Sequence, residues 1–260
     1  MTILQAIILG IVQGITEFLP ISSSAHLTLI PEFFKWGEHS LTFDIVAHAG
    51  TLLAIVLYYR KQIKGIVYSL STLTERNTTI KLITNIVFTT IPTVIIYFLL
   101  TDYIEDQFTS TKIIQYTLII GGILLLGADI YSKRRKKFNN ISVSSATLIG
   151  IGQGLSLIRG MSRSGTMLTI GLFYNIERKK LLEYVFLASI PVISAGLILK
   201  SVEYINNPSG EGIPILIVGF LCAFGSGIFA INLLNKLINK NIILLSAIYR
   251  IILAMIIVLL

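Results

Sequence analysis

Residues 10–26 read GIVQGITEFLPISSSAH, and residues 150–166 read GIGQGLSLIRGMSRSGT. Aligned without gaps, Gly10, Ile11, Gln13, Gly14, Ser22 and Ser24 match Gly150, Ile151, Gln153, Gly154, Ser162 and Ser164. Ile15/Leu155 and Thr16/Ser156 are near-matches. Each copy is an apolar stretch broken by a polar, turn-prone segment: Pro20-Ile21-Ser22-Ser23-Ser24 in the first, Arg159-Gly160-Met161-Ser162-Arg163-Ser164-Gly165 in the second. The fragments on either side are too short to cross a hydrocarbon layer, which takes roughly 17–25 helical residues. Two re-entrant helical hairpins, 1–30 and 141–172, fit them better. Irregular backbone at membrane depth persists only where protein or a polar cavity satisfies its groups, so the two breaks are candidate sites before any motif is read.

The rest of the chain agrees with a bilayer setting. It has 260 residues, 54% of them hydrophobic and 13% charged, with a mean hydropathy of +0.82. Soluble domains carry about 25% charged residues. Six apolar runs are long enough to span, near 42–59, 83–101, 113–131, 182–200, 213–235 and 242–260. Three follow each hairpin. Three is odd, so the second copy starts on the opposite face of the membrane. The expectation is an all-α membrane protein of six transmembrane helices plus two re-entrant hairpins, arranged as an inverted-topology repeat. The halves are 1–140 and 141–260, in one integrated membrane domain. Such repeats place a shared site near the midplane, where broken helices meet.

The net charge of +8 could suggest nucleic acid, but the cations sit in short clusters between apolar runs, as in membrane loops. Arg60, Lys61, Lys64, Arg76, Lys81, Lys133 to Lys137, Arg178 to Lys180, Lys236 and Lys240 fall on one face. Only Lys35, Lys112 and Lys200 fall in loops on the other. That asymmetry predicts a cytoplasmic basic face, with both termini outside and a site that opens outward in the cytoplasmic membrane. Met1–Leu19 has no basic start and contains Glu17, unlike a cleavable signal. The single cysteine, Cys222, forms no internal disulfide and no Cys-based metal site.

Gln13 and Glu17 are four apart and share a helix face. A carboxylate inside a membrane segment is costly, and by default a functional candidate. Pro20 should end the first half-helix. Ser22 or Ser23 then caps the second and turns free N–H groups toward an anion. His26 falls in that helix's first turn, where the dipole favours a neutral ring able to attack or to take a proton. In the second break, the planar fork of Arg163 suits phosphate oxygens. Ser162, Ser164, Gly165 and Thr166 can add backbone and hydroxyl donors, as in an anion-binding nest. Arg163 is also free to pair with Glu17. Arg159 is read either as an anion ligand or as snorkelling to water. Asp44, His48, Gln153 and Arg159 are candidate cavity-lining residues, and Asp129 is expected to play little part in chemistry. Gly219, Gly225 and Gly227 are candidates for close helix contacts within or between chains. No Walker, Rossmann or zinc signature is present.

These motifs resemble the undecaprenyl-diphosphatase family, the lipid-carrier phosphatases once named for bacitracin resistance. The family's first motif, [E/Q]-G-x-T-E-F-L-P-[VI]-S-S-[ST]-[GA]-H, stands here as QGITEFLPISSSAH. Its second, P-G-x-S-R-S-G-[AT]-T, stands as RGMSRSGTM, with Arg159 in place of proline and Met167 in place of the last threonine. FDIVAHAGTLLAIVLYY and AIYRIIL extend the likeness along the chain. The resemblance implies an integral membrane phosphatase that hydrolyses undecaprenyl or another polyprenyl diphosphate to the monophosphate, recycling the lipid carrier of cell-envelope glycan synthesis. It implies that Glu17, His26 and Arg163 are essential, with Ser23 and Ser162 next; the reading of the residues themselves gives Ser22, Ser162, Arg163, Ser164, Gly165 and Thr166 as the phosphate-binding set. It also implies a divalent cation, Mg²⁺ or Ca²⁺, held by Glu17 with Gln13 in support; Gln13 stands where many members carry a first Glu. The nucleophile is Ser23, His26 or water. The expected partners are the polyprenyl diphosphate lipid and the membrane, without nucleic acid, and a homodimer is allowed. The competing reading is a lipid-carrier flippase or transporter on the same inverted repeat.

Overall fold

The computed structural model describes residues 1–37, 39–72, 75–107, 110–206 and 210–257; the side chains at 101, 102, 104–107 and 206 are also outside the description. Among the described residues the chain forms eleven helices. They are α1 (Ile3–Phe18), α2 (Ser23–Phe33), α3 (Leu41–Tyr58), α4 (Arg60–Thr72), α5 (Arg76–Gln107), α6 (Thr111–Lys133), α7 (Val143–Leu155), α8 (Arg163–Phe173), α9 (Arg178–Asn206), α10 (Ile213–Leu237) and α11 (Ile242–Ile257).

Five of them, within α3, α5, α6, α9 and α10, are long and apolar enough to cross a membrane. The sequence predicts a sixth span at 242–260. Its helix, α11, has 16 described residues, a length of about 24 Å at the usual rise per residue against a hydrocarbon core of about 30 Å. Residues 258–260 of that expected span lie outside the described residues. A second difference is at 60–81, expected as a basic loop. Residues 60–72 form α4, whose cations and apolar side chains fall on different faces, as in a helix lying along a membrane surface. Arg60, Lys61 and Lys64 are on it, and only Ser69 is deeply buried.

The two broken stretches form helix–turn–helix units, α1–α2 and α7–α8, and their turns share one backbone solution. Ser22 (φ 75°, ψ 98°) and Ser162 (φ 66°, ψ 111°) are the N-caps of α2 and α8. Their hydroxyls accept from the amides of Ala25 and Gly165 at 3.4 and 3.2 Å. A positive φ is strained for a residue with a Cβ, and finding it at the matched serines is a property of the elbow rather than an accident of either copy. The starts match too: Thr2 and Ser142 each cap their helix through a reciprocal box with Gln5 and Ser145.

The hairpins are held by close backbone approach. Helix α1 lies along α10, and α7 along α5. A Cβ on Gly10 would stand 2.7 Å from the Gly219 carbonyl, and one on Gly14 2.4 Å from that of Ala223. A Cβ on Gly150 would stand 2.2 Å from the carbonyl of Thr89. The matched glycines thus face helices distant in the chain, the small-residue contact that serves where there is no water to drive association. Gly219 and Gly227 take part within the chain, whereas nothing lies within 4 Å of a Cβ on Gly225. Hydroxyls add polar ties: Thr93 donates to the Gly150 carbonyl at 2.9 Å and Thr89 to that of Ala146 at 2.9 Å.

The inner seam is packed by Phe18, Ile55, Tyr59, Leu125, Met167, Phe186 and Ile231 among others. Phe98, Leu99, Ile198, Leu221 and Met255 are exposed on the outside, as expected where the solvent is lipid. At the basic end, Asp129 is fully buried and takes Arg178 at 2.6 Å and Lys133 at 2.8 Å. Next to it, Phe138 and the Asn175–Glu177 segment exchange backbone bonds of 2.9 and 3.0 Å. This clasp joins α6 to the start of α9.

Candidate active site

The two elbows meet. Glu17, one residue short of the end of α1, is almost wholly buried, and each of its oxygens is engaged. Oε1 accepts from Arg163 Nη2 at 2.9 Å. Oε2 accepts from Ser23 Oγ at 2.7 Å and from Gln13 Nε2 at 3.2 Å. His48 Nε2 stands 3.9 Å from the same oxygen. A carboxylate this deep requires a cation and several donors, and it draws them from its own helix α1, from α2 and from α8, with His48 of α3 close by. Two further contacts close the junction. Gly160 N–H, at φ +88°, donates to Ser24 Oγ at 3.3 Å, and Ser164 Oγ donates to the Leu19 carbonyl at 3.2 Å. A narrow cavity beside the pair is bounded by Glu17, Arg163, Ser164, Phe18, Phe186 and Ser189.

Arg163 keeps capacity in reserve. Its side chain is 22% exposed, one terminal nitrogen is on Glu17, and the other, Nη1, is buried without a partner. Gln13 shows the complementary feature: Nε2 is on Glu17, and Oε1 is buried and unpaired. The elbow thus combines a free guanidinium donor, suited to phosphate oxygens, with a free carbonyl oxygen beside a carboxylate. The latter pair is a hard-oxygen donor set of the kind that Mg²⁺ and Ca²⁺ accept. Among the described residues, no group of three or more His, Cys, Asp and Glu side chains is arranged to hold a metal alone, so such an ion would need substrate oxygens as well.

Other expected residues are placed differently. The ring of His26 points away from Ser23 and Glu17. Its Nδ1 is 2.7 Å from the Ser22 carbonyl and its Nε2 is 2.7 Å from the Tyr249 hydroxyl. The carbonyl can only accept, so Nδ1 carries the hydrogen, and in a neutral ring Nε2 accepts from Tyr249. Thr166 Oγ1 turns back to the carbonyls of Ser162 and Arg163, at 3.1 and 3.0 Å, because the preceding helical turn offers acceptors within reach. Ser22 and Ser162 Oγ serve as caps, and each also lies near the serine two positions on, Ser24 at 3.2 Å and Ser164 at 3.4 Å. The side chain of Arg159 is exposed. Gln153, the counterpart of Gln13, donates to Thr93 at 3.0 Å on the α5 face and does not reach the elbow junction. Asp44 holds His39 at 2.8 Å and faces Lys200 at 3.8 Å, and its carbonyl accepts from His48 Nδ1 at 2.8 Å. These residues form a polar track that runs along α3 toward Glu17.

Two residues on α11 were not singled out from the sequence. Tyr249 binds His26, and the two rings stack at 5.6 Å. Arg250 is fully buried, and its Nη2 donates to the carbonyls of Gly160 at 3.0 Å, Met161 at 3.0 Å and Thr117 at 3.2 Å. It fixes the turn that delivers Arg163. An ionisable side chain inside an apolar 19-residue run (242–260) was the available signal.

The family model described as "Bacitracin resistance protein BacA" matches residues 6–256. Among similar proteins, one of Moorella thermoacetica named undecaprenyl-diphosphatase is 39% identical over 99% of this chain and 97% of its own. Another of that name, from Gemmatimonas aurantiaca, is 36% identical over 99% and 97%. One from Caldicellulosiruptor bescii is 36% identical over the same shares, 99% and 97%. A family match over nearly the whole length, joined to the helical elbows that carry the family's motifs, has one consequence: the chain is a multi-pass membrane protein belonging to the BacA family.

Proposed function

We propose that this protein hydrolyses a polyprenyl diphosphate, of the undecaprenyl type, to the monophosphate and inorganic phosphate. One observation carries the reading: Glu17 bridges Ser23 and Arg163 across the junction of the elbows, at 2.7 and 2.9 Å. A hydroxyl bonded to a buried carboxylate is an activated nucleophile. A guanidinium beside it, with one nitrogen still free, is the complement of a phosphoryl group. The names of the relatives point to the same chemistry.

The steps follow from those contacts. Arg163 binds the terminal phosphoryl oxygens, helped by backbone amides at the starts of α2 and α8, where the helix dipole favours anions. Ser23 Oγ attacks the terminal phosphorus while its proton passes to Glu17 Oε2. The bridging P–O bond breaks, and the polyprenyl monophosphate leaves with the electron pair. Water then attacks the phosphoserine and releases inorganic phosphate, and the proton returns to Ser23. Serine is favoured over His26 as nucleophile because both ring nitrogens of His26 are occupied and its ring faces Tyr249. Gln13 Oε1 and Glu17 would hold a divalent cation together with substrate oxygens. Such an ion would neutralise phosphate charge.

We also read the chain as two inverted halves, 1–140 and 141–260, with re-entrant hairpins and α11 as a sixth span. The matched caps at Ser22 and Ser162 and the cross-packing of α1 on α10 and α7 on α5 support this. The basic clusters favour a cytoplasmic face at Lys133–Lys137, with termini outside and a site that opens outward. The test is phosphate release from a long-chain prenyl diphosphate by purified protein in detergent, where neither gradient nor sidedness exists. Release that depends on Arg163 supports hydrolysis. A lipid that is bound but never cleaved refutes it.

A further inference from the structure

Between α2 and α11 is a second cavity of about 200 Å³. Its polar end is the His26–Tyr249 pair, and its walls are apolar, with Ile30, Phe33, Leu253 and Ile256 among them. Phe33 and Ile256 are 57% and 47% exposed, so the outer wall opens to the surroundings of the helix bundle. His26 belongs to both places. It lines the cavity, and through Ser22 it is bonded to the elbow that offers amides to phosphate. The bond from His26 to the Ser22 carbonyl is the tie between cavity and elbow, and the ring nitrogens of His26 are engaged by Ser22 and by the Tyr249 hydroxyl.

We propose that this cavity receives the first isoprene units of the lipid substrate, with Tyr249 and His26 at the junction of chain and diphosphate. The inference rests on the hydrolytic reading above and names the subsite that reading leaves open. A charged or hydrogen-bonding occupant would find no partners along Ile30, Phe33, Leu253 and Ile256, and burying it would be costly. A branched hydrocarbon satisfies the walls and can continue past Phe33 and Ile256 into the bilayer. Tyr249 supplies an apolar ring to the chain and a hydroxyl to His26, the amphipathic arrangement suited to such a boundary.

The experiment compares a C5 with a C15 prenyl diphosphate on wild-type protein and on Leu253→Trp, which fills the cavity. Single methylenes in apolar pockets change selectivity by about 10–200-fold. The ratio of kcat/KM for C15 to that for C5 should therefore fall tenfold or more. An unchanged ratio overturns the proposal and leaves bulk lipid as the occupant. A second readout needs no turnover: a prenyl diphosphate carrying a benzophenone in its first units should label peptides of α2 and α11, and farnesyl diphosphate should compete. Labelling on other helices, or labelling competed equally by phosphatidylglycerol, overturns it. If wild-type protein releases no phosphate from a long-chain prenyl diphosphate either, the hydrolytic reading fails, while the labelling result still decides the cavity.

Discussion

Glu17→Gln keeps the length of the side chain and removes its charge and half of its acceptors. In the native elbow both oxygens accept, one from Arg163 and the other from Ser23 and Gln13. An amide offers one acceptor and one donor, so its NH₂ must face either the guanidinium or the serine hydroxyl, donor against donor. If Glu17 takes the proton of Ser23, the rate should fall on the scale of a lost general base, about 10²–10⁴-fold. Arg163 also loses its counter-charge; breaking a fully buried pair typically costs about 3–5 kcal/mol, and the loss here should be smaller because the Arg163 side chain is 22% exposed. Thermal unfolding in detergent should therefore shift down as well. Single-turnover phosphate release on Glu17→Gln, Ser23→Ala and the double variant separates the effects. Groups that act as a unit are non-additive, so the double variant should be about as slow as the slower single. Wild-type turnover by Glu17→Gln, or losses that multiply in the double variant, would refute the assignment of Glu17 to the serine.

Arg163→Ala should cost about 10²–10³ in rate, the usual loss for one transition-state donor, with membrane insertion retained on fractionation; undiminished turnover would remove it from the chemistry. Asp129→Ala should lower stability by about 3–5 kcal/mol, because Arg178 and Lys133 lose their shared partner. The folded fraction should keep its specific activity, and a loss as large as that of Glu17→Gln would contradict a purely structural role. Gln13→Glu should lower the Mg²⁺ or Ca²⁺ concentration that restores release after chelation, since it adds a second hard anionic oxygen. A requirement that is unchanged, or higher, would place the ion elsewhere.

What the sequence made legible was local or symmetric. Pro20 and the serines after it specify an elbow through short-range sterics and capping, and the copy at 150–166 exposes the same device by alignment. The Glu17–Arg163 pair could be foreseen as one of the roles open to Arg163, because each charge is expensive alone in an apolar setting. The matched glutamines were misleading, since Gln13 reaches Glu17 and Gln153 does not reach the junction. The repeat preserves backbone, but position four beyond Gln153 is Leu157, which offers no charge to bind. Tyr249 and Arg250 lie far along the chain and reach the elbows only through the packing of α11 against α6, a tertiary contact that no local pattern encodes. The ring direction of His26 depends on that same partner.

The central claim is that the elbows of the two halves form one pocket, and a cross-link tests it most directly. Ser164 Oγ lies 3.2 Å from the Leu19 backbone. In a Cys222→Ala background, Leu19→Cys with Ser164→Cys should form an intramolecular disulfide on mild oxidation, in membranes and in detergent alike. If both thiols react with maleimide yet neither oxidation nor a short bis-thiol cross-linker joins them, the elbows are apart and the site described above does not exist.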